Sequence, residues 1–172
     1  MVLYERVDSL LGGVLLAAHD ERLCGVWFEG QKYYPPLRGW RPASDSALLG
    51  EAAAQLKAYF EGRLRAFDLP LSLARGTPFQ QQVWQALRTI DAGQTLTYGE
   101  LARRLQRPRA VRAVAAAVGR NPLSVVVPCH RVLGANGSLT GYAGGLDRKA
   151  RLLALEGHQG AWQASGKRAA GR

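Results

Sequence analysis

Hydrophobic spacing changes character once along this chain, near Ala74-Arg75-Gly76, and that change limits the fold more than any other feature. Upstream, apolar residues come in short runs broken by turn formers. Residues 14–19 and 23–28 are two such runs, punctuated by Gly12-Gly13, Asp20-Glu21 and Glu29-Gly30, the pattern of strands joined by tight turns. The stretch 32–42 holds Pro35, Pro36, Gly39 and Pro42 and reads as a loop. Ser44-Asp45-Ser46 offers caps to a helix over 47–61, with Leu48, Leu49, Ala52, Leu56 and Phe60 near helical spacing and Gly62 as its stop. The alternation of 67–73 predicts one more strand.

Downstream the period is helical. Thr77-Pro78 supplies a cap and a proline at the first helical position, and Phe79, Val83, Trp84, Leu87 and Ile90 form one apolar stripe. Thr97 caps a short helix over 98–105, Gln106-Arg107-Pro108 turns the chain, and a third helix covers 109–119. Two short helices across a tight turn, with Arg109, Arg112 and Arg120 on the second, make a helix-turn-helix pattern. That second helix is nearly bare: Ala110, Ala113, Ala115, Ala116 and Ala117. Small residues suit close approach to a minor groove, where side chains wedge rather than read base edges. Alanine is also simply the best helix former. The expected class is therefore α/β (α+β), with a sheet-bearing domain over 1–76, a helical domain over 77–160 and a flexible tail over 161–172.

Charge divides the same way. Residues 1–76 hold nine Lys/Arg and nine Asp/Glu, whereas 77–172 hold fourteen and four, so the second part carries the whole +10. A neutral half joined to a basic half points to a polyanionic partner; solvated surface arginines are the plainer reading. No apolar run approaches the ~18 residues of a membrane span. The opening MVLYERVDSL mixes acids into its apolar stretch, unlike a signal peptide. Cys24 and Cys129 lie far apart without metal-ligand spacing, which suits free thiols in a reducing cytoplasm.

Reactive chemistry concentrates in residues 121–132, where a β-branched run ends in proline and then presents cysteine, histidine and arginine together. A thiolate is the reactive form of cysteine, and a nearby base or positive charge raises its population. Adjacent side chains point apart, so His130 would serve Cys129 through a bridging water, with Glu156 orienting the imidazole. Inert packing is the alternative for a buried cysteine, and it is the expectation for Cys24.

Pro128-Cys129-His130-Arg131-Val132, preceded by Asn121-Pro122 and followed by Gly141-Tyr142-Ala143-Gly144-Gly145-Leu146, resembles the O6-alkylguanine–DNA alkyltransferases. The resemblance spans about 77–157. It implies a ribonuclease-H-like sheet domain followed by a winged-helix-type domain with a helix-turn-helix. It also implies irreversible, single-turnover transfer of an alkyl group from O6-alkylguanine in duplex DNA to Cys129, with O4-alkylthymine a further candidate substrate.

Residue by residue, the resemblance makes Cys129 the acceptor and His130 with Glu156 the relay. Tyr98 becomes the residue that crowds the target phosphate and protonates the leaving base. Arg112 becomes the finger filling the vacated stack, with Ala110 and Ala113 against the DNA. Asn121 becomes the hinge from helix to active-site strand and the tie that holds the relay's segment together. Val132, Tyr142, Ala143 and Gly144 become the pocket wall, where the main chain of Cys129, Val132 and Ala143 meets the base. Ala143 stands where relatives have serine, and Ser124 where some have a pocket proline.

No cofactor is implied. No metal is expected either, because Cys24 has only His19 as an N-terminal companion. The implied partner is damaged duplex DNA bound by a monomer, with no membrane and no obligate protein partner. Two other classes remain in view: a non-catalytic DNA-binding sensor, and a thiol hydrolase that turns over on a small acyl substrate.

Overall fold

The computed structural model describes residues 1–158; the predicted tail 161–172 lies outside the described residues. Strands β1 (Leu3–Val7), β2 (Val14–His19) and β3 (Arg22–Phe28) form an antiparallel meander. The short β4 (Arg41–Pro42) joins β1 in parallel, giving the order β3-β2-β1-β4. The register runs Leu3 opposite Ala18 to Val7 opposite Val14, and Val14 opposite Phe28, with one irregularity at Ala17/Ala18. The runs in β2 and β3 are continuous because both faces are covered. Leu16, Leu23, Val26 and Phe28 enter the main core, while Leu15, Ala17, Cys24 and Trp27 pack under Tyr34, Leu37 and Trp40 of the loop. Cys24 is thus a packing residue of the outer sheet face.

Helix α1 (Ala47–Phe60) begins at Ser46, whose hydroxyl accepts from the Leu49 amide at 3.2 Å, and lays Leu49, Ala52, Leu56, Tyr59 and Phe60 against the sheet. Two features of this half depart from expectation. β1 was not anticipated, because Glu5 and Arg6 interrupt its apolar pattern. The predicted strand at 67–73 does not form: only Leu71 makes a bridge, to Leu23, while Leu69 and Leu73 are buried anchors. The alternation there reflects side chains pinned into a crevice, not ladder pairing.

The second half contains α2 (Pro78–Leu87), β5 (Leu96–Thr97), α3 (Tyr98–Arg104), α4 (Val111–Gly119), β6 (Val132–Leu133) and α5 (Leu146–Leu155). Thr77 with Gln80 and Thr97 with Glu100 close two capping boxes, so each helix start is set by its own side chains. α4 starts later than predicted, since Ala110 occupies its cap and no side chain caps it. The Trp84 indole donates to the Ala117 carbonyl at 2.8 Å, locking α2 to α4. β5 and β6 pair in parallel, and one continuous core runs from Leu16 and Leu49 through Trp84 and Val114 to Leu123. No helix among the described residues is long and apolar enough to cross a membrane.

Candidate active site

The segment leading to Cys129 is a wound turn rather than the active-site strand that the resemblance implied. Val26 donates to Pro122 O at 2.8 Å and accepts from Ser124 N at 3.0 Å, so the segment hooks onto β3 for one bridge. It then coils: Val125 adopts φ 71°, Val127 N donates to Leu123 O, and Cys129 N donates to Val127 O. A β-branched residue in the left-handed region is strained, and surrounding structure must hold it there. Asn121 does part of that holding. Its Nδ2 donates to Val127 O at 2.8 Å and its Oδ1 accepts from Leu123 N at 2.9 Å. Asn121 thus braces the segment that carries the thiol, though as the brace of a turn and not the hinge to a strand.

Cys129 opens a 3-10 turn, Cys129–Arg131, and is only 6% exposed at the floor of a groove of about 880 Å³. Tyr98, Ala113, Tyr142 and Ala143 line that groove with it. Val132 and Gly144, expected in the pocket wall, are buried and do not line it. Gly144 acts indirectly: a Cβ there would lie 2.7 Å from the Tyr142 ring, so only glycine lets that ring pack as it does. Arg112 and Ala110 stand outside the groove lining, Arg112 exposed near the start of α4 and Ala110 half-buried at its cap.

Behind the thiol lies a buried ionic cluster centred on Glu156, the residue that caps α5. Arg131 clamps its carboxylate in bidentate fashion, Nε to Oε1 and Nη2 to Oε2, both at 2.8 Å. His130 Nε2 lies 2.8 Å from Oε2, and the Tyr59 hydroxyl donates to the same oxygen at 2.5 Å. The remaining Arg131 nitrogen donates to the Ile90 carbonyl. Burial works to raise the Glu156 carboxyl, but hydrogen bonds from Arg131 and His130, with the charge of Arg131, overcome it and hold the group far below the carboxylate range. Burial holds His130 below its ordinary value, so the imidazole is neutral. Its Nε2 then carries the proton toward Glu156, and Nδ1 is left buried without a protein partner.

The family follows from two matches that together run almost the length of the chain. Residues 2–73 match the model of the ribonuclease-like domain of 6-O-methylguanine DNA methyltransferase, and residues 78–158 match the model of its DNA-binding domain. The chain belongs to this methyltransferase family. A methylated-DNA–protein-cysteine methyltransferase of Methanosarcina mazei is 58% identical over 154 residues, covering 89% of this chain and 96% of that protein. The protein of the same name from Mycobacterium leprae is 48% identical over 159 residues, covering 92% and 94%. Among solved structures, the Mycobacterium tuberculosis O6-methylguanine methyltransferase aligns with a TM-score of 0.83 at 46% identity, covering 96% of this chain and 99% of that one. M. tuberculosis OGT in complex with DNA also gives 0.83, at 47% identity over 90% and 92%.

Within this member of the methyltransferase family, three residues at the site escaped sequence reasoning. Arg131 sat in the motif without an assigned role. Tyr59 reaches Glu156 from α1, a long-range contact with no local signature. Lys149 did leave a signal: it falls between Leu146 and Leu152-Leu153 on the apolar side of α5, where lysine is out of place. Its ammonium is buried, donates to the carbonyls of Thr140 at 2.7 Å and Gly141 at 3.0 Å, and so ties down the loop before Tyr142. Burial lowers it to about 8, with the neighbouring Cys129 opposing. The thiol is pushed up by burial, while hydrogen bonding from Asn121 and the charge of Lys149 pull the other way. Burial raises Tyr98 to about 12, so it remains a protonated donor at neutral pH.

Proposed function

We propose that this chain repairs duplex DNA directly, by moving the alkyl group of an O6-alkylated guanine irreversibly onto Cys129. One observation carries the mechanism: His130 spends Nε2 on an ionised Glu156 and keeps a buried Nδ1 without a protein partner, on the residue next in sequence to the buried thiol. Through a bridging water, Nδ1 takes the proton of Sγ as sulfur attacks the alkyl carbon. The carbon–O6 bond breaks, its electron pair passes into the guanine ring, and a proton from Tyr98 converts the departing base to ordinary guanine. Solvent then returns a proton to Tyr98 and removes the one on His130. Protonating a poor leaving group lowers the barrier. Because a thioether is not reversed by thiols, each molecule acts once and needs no cofactor.

The alkyl carbon is out of reach inside a duplex, so the base must be extruded at a cost of a few kcal/mol, less for a poorly paired lesion. The nearly bare α4, with Ala110 and Ala113, suits a minor-groove approach, and Arg112 would occupy the gap left in the stack. Tyr142 and Ala143 would wall the pocket, with Gly144 and Val132 supporting it from behind. Main-chain groups of Cys129 and Ala143 would hold the base. O4-alkylthymine is the second substrate to examine. We take residues 1–76 as scaffold and 77–160 as the DNA-binding and acceptor unit of a cytoplasmic monomer.

The test is mass spectrometry of intact protein and peptides after incubation with a duplex carrying one O6-methylguanine. One methylene on the Cys129 peptide, saturating at one per protein, is expected. Duplex binding without added mass would instead make the chain a sensor.

A further inference from the structure

The groove in front of Cys129 is lined partly by the other half of the chain. Lys32 and Tyr33, from the loop after β3, share it with α4. Their turn is pinned on both sides. The buried Gln31 accepts from Phe28 N at 2.8 Å and donates to Lys32 O at 3.1 Å, while Lys32 N donates to Ala143 O at 3.0 Å. On this turn Tyr33 takes a left-handed φ of 63° and remains 52% exposed. A bulky residue in that region must be held there by its surroundings, and such positions cluster at ligand clamps and active sites.

Tyr33 is not bare on every side. The Arg120 guanidinium, at the C-terminal cap of α4, sits 3.8 Å from its ring centroid. No Asp or Glu lines the groove, whose charged lining residues among those described are Lys32 and Arg120. Neither cation pairs with a carboxylate among the described residues. The stack therefore orients a guanidinium that no carboxylate among the described residues neutralises, in a groove whose other lining side chains, apart from Lys32, are uncharged. A planar guanidinium fixed in this way suits a phosphate oxygen.

We propose that Arg120, propped on Tyr33, together with Lys32 contacts DNA phosphates, which makes this N-terminal turn part of the DNA interface. The inference rests on the repair reading above and extends the footprint beyond the helix-turn-helix.

The test is duplex binding by the full chain across 50–200 mM salt. Each lost phosphate contact makes the slope of log K against log salt shallower by about 0.9. Arg120→Ala should therefore weaken binding about fifteenfold in 50 mM salt but only about fourfold in 200 mM. Lys32→Ala combined with Arg120→Ala should flatten the slope by about twice as much. Tyr33→Gly relieves the left-handed backbone, so it threatens folding least; it should weaken binding yet add nothing to Arg120→Ala. Tyr33→Phe should bind like the wild type. A wild-type slope in Arg120→Ala, while the wild type still takes up methyl, would overturn this inference alone. A wild type that neither binds nor reacts would overturn the repair reading with it.

Discussion

Replacing Glu156 with alanine tests the buried cluster most directly, because three side chains lose their common acceptor at once. Tyr59, His130 and both arms of Arg131 all end on this carboxylate, at 2.5–2.8 Å. Tyr59, His130 and Arg131 are themselves buried. The dominant cost is the uncompensated guanidinium of Arg131, and breaking one side of a buried pair costs about 3–5 kcal/mol. For a chain of this size each kcal/mol lowers the melting midpoint by roughly 2–4 °C, so a drop of about 6–20 °C is expected. Urea unfolding followed by the fluorescence of the buried Trp84 would measure it. A loss below about 1 kcal/mol would show that the cluster does not hold this region together.

The sign with pH is fixed as well. Glu156 is depressed in the folded protein, so its contribution is present above the unfolded value of about 4.3 and is lost as pH falls through the folded one. The gap between wild type and Glu156→Gln should narrow in strong acid. A second variant separates stability from chemistry. Arg131→Met combined with Glu156→Leu removes both charges, and such exchanges are often neutral or stabilising. It should recover much of the stability while methyl uptake stays slow, since His130 has lost the acceptor that orders its ring. Recovery of uptake along with stability would make Glu156 purely structural.

Three further outcomes follow from the site. Cys129→Ala should abolish methyl uptake yet bind duplex within about twofold of wild type in a gel-shift titration; lost binding would make the residue structural. Arg112→Ala should slow repair of a duplex far more than reaction with free O6-benzylguanine, and equal slowing of both would refute its role as a finger. Because burial holds His130 below the ordinary value near 6.5, the rate of uptake should persist as pH falls through 6.5 and decline only below it. A break at or above that pH in single-turnover kinetics would mean that the imidazole is not the neutral base.

Much of this arrangement was readable from local chemistry. Ser46, Thr77 and Thr97 start their helices where their side chains said they would, because a cap is satisfied within three residues. Cys129, His130 and Asn121 were singled out from one stretch of sequence and Glu156 as the imidazole's orienter, and His130 and Glu156 meet in the fold while Asn121 braces the segment that carries the thiol. What stayed hidden depends on distance or context. The alternation at 67–73 and the segment after Asn121 were both expected as strands, but each makes a single bridge to β3, at Leu23 and Val26, and then turns away. β-Propensity describes a half-buried pleated surface and does not create one. Tyr59 was invisible because its partner lies almost a hundred residues away. Arg131 and Lys149 were visible only as unexpected charges, and their carbonyl and carboxylate partners come from other elements.

The placement of Glu156 also has a consequence for how the protein is made. The chain is synthesised from its N-terminus, and domains begin to fold in that order. A nascent polypeptide therefore exposes the Cys129 sulfur before the ribosome has delivered Glu156. Until that carboxylate arrives and docks on Tyr59 and Arg131, His130 has no partner to set its tautomer, and on the proposed mechanism the thiol would have no organised base. On that mechanism, a protein that reacts only once would have its acceptor armed after the N-terminal scaffold that aims it has been made. Stray electrophiles met during synthesis would encounter an ordinary cysteine.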